Sequence, residues 1–159
     1  STESLATVRR VPNEPGMAAK VFTLLAEAGV NVDMIVQASA STGTADISFT
    51  VPGSAAAKVR EVLQEKQDEL GYQSFDIDAN VGKVAVVGVG MKTHSGLAAK
   101  FFNALSDEGV NVLMISTSEI RIAALVPLEQ LQDAVRALHT AYGLDAEQVE
   151  AVVYGGTGR

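Results

Sequence analysis

A twenty-residue segment of this chain recurs 80 positions later: GMAAKVFTLLAEAGVNVDMI at Gly16–Ile35 and GLAAKFFNALSDEGVNVLMI at Gly96–Ile115 agree at 12 of 20 positions. A duplication at that spacing divides the 159 residues into two similar halves, 1–79 and 80–159, and each half must then fold as a small domain of its own. Domains of that size bury a modest share of their surface. The halves are therefore expected to pack on each other or on a second chain, with a homodimer as the first expectation.

The first half reads as β, α, β, β, α, β. LATVRRV (Leu5–Val11) is a strand, and PNEPG forces a turn before a helix whose apolar positions Ala18, Val21, Phe22 and Leu25 follow helical spacing. Gly29 stands where a left-handed C-terminal cap belongs. Asn31–Ser39 and Ala45–Val51 read as strands joined by a turn at STG; in the second of them Ile47, Phe49 and Val51 alternate with polar residues. SAAAKVREVLQEKQDEL supplies a helix through Val59, Val62, Leu63 and Leu70, ended by Gly71, and YQSFDIDA is a further strand.

The second half repeats the order: strand KVAVVGVG, helix Ser95–Glu108, strands Asn111–Thr117 and Glu119–Val126, helix Pro127–Tyr142 closing at Gly143, and strand EAVVYGG. The second helix carries Leu128, Leu131, Val135 and Leu138 on one stripe. The fold class is α+β, with two ferredoxin-like βαββαβ domains, each an antiparallel sheet with its helices on one face. The tail GGTGR has no apolar anchor.

Composition excludes several classes. Hydrophobic residues at 47% against 19% charged mark a globular protein. The net charge of −7 opposes the counterion release that drives nucleic-acid binding. Without cysteine there is no disulfide or thiolate chemistry, and no apolar run is long enough for a signal core or a membrane span. A soluble cytoplasmic protein is the expectation, with neither nucleic acid nor membrane as partner.

Catalytic and cofactor readings fail in detail. GVGMKTHSG (Gly88–Gly96) is glycine-rich between a strand and a helix, but Met91 precedes Lys92 where a Walker loop has Gly, and Thr93 stands where a dinucleotide fingerprint has its third Gly. The two histidines, His94 and His139, have no carboxylate at ligand spacing, so no metal site is expected. Ser116, Ser118, Glu119 and His94 have nothing in the sequence to bring them into a triad, and STSE reads as a polar hairpin turn whose hydroxyls suit a small molecule. No catalytic residue and no cofactor are assigned. The halves do share a loop ending in Gly, a helix start after it, and a GVNV turn into the next strand. Free N–H groups at a helix start beside a strand end suit the carboxylate and ammonium of a free amino acid.

PNEPGMAAKVFTLLAEAGVNVDMIVQ and VGVGMKTHSGLAAKFFNALSDEGVNVLMISTSEIRIAALV resemble the tandem ACT domains of aspartate kinase, and the likeness runs from Ala6 to Arg159. NVDMI, STSEIRI and AVVYGGTGR are the segments most particular to that family. The kinase domain that binds ATP and aspartate has no counterpart in these residues. The resemblance is therefore to the separate regulatory β subunit, which assembles with a catalytic chain as a two-plus-two heterotetramer, senses threonine and in some members lysine, and restrains aspartate phosphorylation.

The resemblance also implies the sites. The effector pocket would form where the first domain of one chain meets the second of its partner, from Asn13, Gly16, Ala18, Val30 and Gln37 with Asn111 and Val112. A second pocket would use Gly96, Ala98, Ser118 and Glu119 with Asp33. Asn13 and Ser95 stand where family members commonly carry Asp and Pro. The C-terminal strand, residues 149–154, has two homes open to it, the second domain or the sheet of the first. The competing readings are a stand-alone ferredoxin-like enzyme, for which no acid–base pair presents itself, and an RNA-binding module, which needs exposed aromatics and a basic surface.

Overall fold

The computed structural model describes residues 3–88, 96–143 and 151–155. The chain divides into two units, Ser1–Ala79 and Asn80–Arg159. The first contains β1 (Glu3–Pro12), α1 (Met17–Glu27), β2 (Ile35–Ser39), β3 (Thr44–Pro52), α2 (Ala56–Glu65), α3 (Gln67–Leu70) and the start of β4 (Ser74–Gly88). The second contains the rest of β4, α4 (Gly96–Asp107), β5 (Met114–Thr117), β6 (Arg121–Pro127), α5 (Leu131–Tyr142) and β7 (Ala151–Gly155).

Within the first unit the strands lie in the order β2-β3-β1-β4, and both β2 and β1 pair antiparallel with β3. The alternation read in β3 puts Ile47, Phe49 and Val51 in the core under Val21 and Leu25 of α1 and Val59, Val62 and Leu63 of α2. Phe22 meets Phe49 edge-on at 5.5 Å, an arrangement that adds to simple area burial. Thr50 breaks the alternation by being fully buried. Its hydroxyl accepts from the Met34 N–H and its carbonyl from the Asp33 N–H, both at 3.0 Å. The strand expected from Asn31 accordingly begins only at Ile35, after an approach segment held by this threonine.

The helix ends follow one rule twice. Gly29 and Gly109 adopt φ of 80° and 70°, and the next N–H, of Val30 or Val110, donates back to Leu25 or Leu105 at 3.0 Å. That is the bonding of a Schellman cap, in which a left-handed residue satisfies carbonyls the helix leaves open.

Three expected boundaries shift. The helix through Leu70 is interrupted at Lys66, whose φ and ψ are −106° and 15°. Pro127 remains extended, and a 3-10 turn at Leu128–Gln130 precedes α5. The strands read separately as YQSFDIDA and KVAVVGVG are a single 15-residue β4 that passes from one unit to the other. Gly82, midway, does not interrupt it, because the space a Cβ would take is filled by Leu131: Cδ2 lies 2.8 Å and Cδ1 3.1 Å from that position. In the second unit β4 is flanked by β6 and by β7, both antiparallel, and β5 lies outside β6. Ala151–Gly155 pairs there with Val84–Gly88.

β1 is also less regular than LATVRRV suggests. Val8 pairs with Ile47 and Val11 with Ala45, so Arg9 and Arg10 together face Asp46 alone. Val8 and Val11 are both buried. Residues three apart in a regular strand point to opposite faces, and one extra residue restores both to the core.

Gly82→Ala is expected to cost about 1–3 kcal/mol by overpacking, read as a lower urea midpoint, and Leu131→Val in the same chain should recover part of the loss. A second expectation concerns Tyr142, whose hydroxyl donates to the Leu97 carbonyl. Burial pushes its pKa up from 10.0 to about 12. The neutral form is favoured in the folded state, so its stabilisation is complete below the unfolded pKa and disappears as pH rises from 10.0 to about 12. Urea melts should show wild type ahead of Tyr142→Phe by about 1 kcal/mol at neutral pH, with the gap closing across that window.

Candidate functional site

The loop between β1 and α1 closes over a cavity of about 190 Å³ whose lining includes Asn13, Glu14, Gly16, Ala18 and Gln37, with Val11, Ala45 and Ile47 at its base. Gly16 is the N-cap of α1 at φ 88°, and neither a side-chain cap nor an acidic residue serves the first turn. Lys20 N–H returns to the Gly16 carbonyl at 2.9 Å and Met17 N–H to Glu14 at 3.2 Å. Ala18 and Ala19, which also line the cavity, belong to the first turn, whose amides find no acceptor within the helix. The start of α1, the positive end of its dipole, thus adjoins the cavity.

Polar side chains gather opposite them. Asn13 donates from Nδ2 to Ser39 Oγ at 3.3 Å and accepts from Gln37 Nε2 at 3.5 Å, while its backbone N–H meets the Gly43 carbonyl at 3.0 Å. The loop is in this way tied to the β2–β3 hairpin, and amide oxygens of Asn13 and Gln37 with the Glu14 carboxylate offer acceptors to an ammonium or hydroxyl. A carboxylate fits one side and a positive or hydroxyl group the other. A Cβ on Gly16 would meet nothing within 4 Å, so the turn itself has room there and the demand for glycine comes from its backbone conformation.

Four of the sequence-predicted residues, Asn13, Gly16, Ala18 and Gln37, come together around this cavity. Val30 sits elsewhere, buried in the first core as the residue after the helix cap. Asn111 and Val112 belong to the second unit. There the Gln130 side chain accepts from the Asn111 N–H at 2.8 Å and donates to the Gly109 carbonyl at 3.2 Å, and Val112 packs against the second core. Glu14 was not singled out in the sequence; its signal is its place between the two prolines that shape the loop.

The residues of the second predicted set lie as follows. Gly96 opens α4 and Ala98 packs against the second core. Ser118 and Glu119 occupy the β5–β6 turn, where Ser118 N–H donates to the Arg121 carbonyl at 2.8 Å and its Oγ accepts from Ile120 at 3.4 Å. Asp33 lies in the first unit, its N–H on Thr50. His94 and the loop at 89–95 fall outside the described residues. A roomier opening of about 310 Å³ runs between α4 and α5 past Asp107, Glu108 and Arg136, but it adjoins the carbonyl end of α4, and Arg136 is engaged with Asp133 at 3.1 Å. None of its lining residues belongs to the first turn of a helix. Among the described residues no group of three or more His, Asp or Glu side chains could hold a metal, and no helix is long and apolar enough to cross a membrane.

Comparison with known proteins agrees with this architecture. The ACT domain family model matches residues 9–67 and 84–142, one match in each unit. An aspartokinase of Corynebacterium glutamicum is 46% identical over 99% of this chain, which spans 38% of that relative's length. Among solved structures, the aspartokinase alpha and beta subunits align with TM-score 0.83 at 43% identity, covering 89% of this chain and 93% of the other. The ligand-free regulatory subunit of aspartate kinase from Thermus thermophilus aligns with TM-score 0.83 at 36% identity and the same coverage. With both repeats matched and nearly the whole chain aligned, the protein belongs to the ACT-domain family, as a tandem pair of the kind that forms the regulatory part of aspartokinases.

Proposed function

We propose that this chain is a non-catalytic regulatory subunit of aspartate kinase that binds L-threonine at the cavity beside α1, with L-lysine as a further effector, and mediates feedback inhibition of aspartate phosphorylation in the cytoplasm. The observation that carries this reading is the uncapped start of α1 opening on a cavity with Asn13, Glu14 and Gln37 opposite. The first-turn amides take the effector carboxylate, and the side-chain oxygens take its ammonium and hydroxyl. Asn111 and Val112 of a second copy would complete the site, and Asp33, Gly96, Ala98, Ser118 and Glu119 would form its pseudo-equivalent.

A homodimer suits the surface. Ile35 and Val36 on β2, and Ile115 on β5, are 41–52% exposed, and both strands end their unit's sheet. Unpaired edges with apolar side chains are surfaces that a second chain can cover. The likeness to solved alpha and beta subunits supports a catalytic chain as the further partner. The RNA-binding alternative needs exposed aromatic rings for stacking, and all five Phe, with Tyr72 and Tyr142, are buried or half-buried.

Calorimetric titration of the full chain with threonine, lysine and other amino acids of the aspartate family tests this directly. Threonine should bind, and Gln37→Ala should weaken it by about 1–3 kcal/mol because a polar group of the bound ligand loses its partner. Because a site shared between copies binds only the dimer, threonine should also shift sedimentation toward dimer, by about 2.7 kcal/mol per site at a hundredfold excess over Kd. With the catalytic chain added, threonine should slow formation of aspartyl phosphate. Absence of any amino-acid heat would sink the reading.

A further inference from the structure

Arg10 is, among the described residues, the one non-glycine with positive φ, at 58°. It lies in the bulge where Arg9 and Arg10 face Asp46 alone, and its N–H donates to the Asp46 carboxylate at 3.0 Å. A left-handed arginine is unfavourable, because its Cβ crowds the following carbonyl, and it persists only where its surroundings over-determine it. Here the Asp46 carboxylate takes the N–H that the interrupted ladder cannot, a charge-assisted bond stronger than a neutral one. On the other side of β1, the Arg9 carbonyl accepts from the Gln73 N–H at 2.9 Å, and the Arg9 guanidinium pairs with Asp76 at 3.1 Å.

The bulge lies against the cavity. Val11 and Pro12, the residues after it, and Ala45 and Ile47, the neighbours of Asp46, all line that space. Past the bulge the ladder resumes with Val11 opposite Ala45 and Pro12 opposite Thr44, and Asn13 N–H reaches the Gly43 carbonyl. Without the extra residue every later side chain would turn to the opposite face, carrying Val11 out of the core and Asn13 away from Gln37. In the sequence, the 80-residue repeat places Gly90 at the position equivalent to Arg10, and glycine is the residue to which a left-handed conformation costs least.

We propose that this bulge sets the geometry of the effector cavity, with Arg10 and Asp46 as positioning residues: the Asp46 carboxylate holds Arg10 left-handed, and that conformation aims Asn13 and the start of α1. The proposal rests on the reading of the cavity as an amino-acid site only for its consequence on affinity; its consequence on the loop is independent of any ligand.

Two readouts on the full chain separate these. Amide resonances within residues 13–19, of all but Pro15, report the loop, and calorimetry with threonine reports the site. Asp46→Ala should move those resonances and weaken threonine about tenfold, the scale of one hydrogen bond to a charged group. Asp46→Asn keeps an acceptor but loses the charge and should fall between wild type and Asp46→Ala in both readouts. Arg10→Gly added to Asp46→Ala should return both signals toward wild type, a rescue that general destabilisation would not give. Arg10→Val, which leaves Asp46 in place but disfavours the left-handed region further, should reproduce the Asp46→Ala shifts and decides the matter if Asp46→Ala does not fold. Unmoved resonances at residues 13–19 in folded Asp46→Ala or Arg10→Val overturn the proposal. Moved resonances in a protein that binds no amino acid uphold the positioning role and reject the effector reading instead.

Discussion

Both units depend on a helix that stops at a left-handed glycine. At Gly29 and Gly109 the chain reverses within two residues, and the next valine turns back into the core with its N–H on the carbonyl of Leu25 or Leu105. Leu25, Val30, Leu105 and Val110 are all buried. The cap thereby does two things at once: it satisfies carbonyls that would otherwise be left open and sets the direction from which the following strand approaches the sheet. The strongest identity between the halves, GVNV, is the chemical record of this turn. The two caps are then supported differently. Asp33 and Met34 hang from the buried Thr50 in the first unit, whereas the Gln130 side chain grips both Gly109 and Asn111 in the second.

The opposite end of α1 is where the proposed function would concentrate. A helix of 11 residues with no N-terminal side-chain cap and no acid in its first turn forgoes interactions that ordinarily stabilise helices. Leaving those donors open is useful only if something else accepts from them, and the cavity before Gly16 is where a ligand carboxylate would do so. The cost is carried by the rest of the unit, where Val21 and Leu25 bind the helix to a fully buried sheet face. Loop rigidity then comes from polar ties rather than packing: Asn13 to Ser39, Gln37 to Asn13, and Arg10 to Asp46.

Much of this was legible. Periodicity at Val21, Leu25, Val59 and Leu63 located the helices and their buried sides, because burial of one stripe is a local consequence of spacing. Gly29, Gly71 and Gly109 were readable as helix ends, and all three take positive φ. The bulge was present in the letters as VRRV, two valines three apart in a strand, but recognising it requires knowing that both are buried. Val30 shows a different limit: only the family resemblance named it as a site residue, and its burial in the core as the residue after the cap depends on packing the letters do not record.

The sequence by itself determined the duplication, the order βαββαβ in each half, the core faces of the helices and the glycine-led loop before α1, since each is set by interactions within about one turn or one strand. Tertiary structure alone decided that the last strand of the first unit and the first of the second are one β4, that Leu131 occupies the space beside Gly82, and that Glu14 joins Asn13 and Gln37 around one cavity. These depend on residues far apart in the chain meeting across a sheet or against a helix. A local pattern records which side of an element is apolar, but not which distant side chain will fill the space against it.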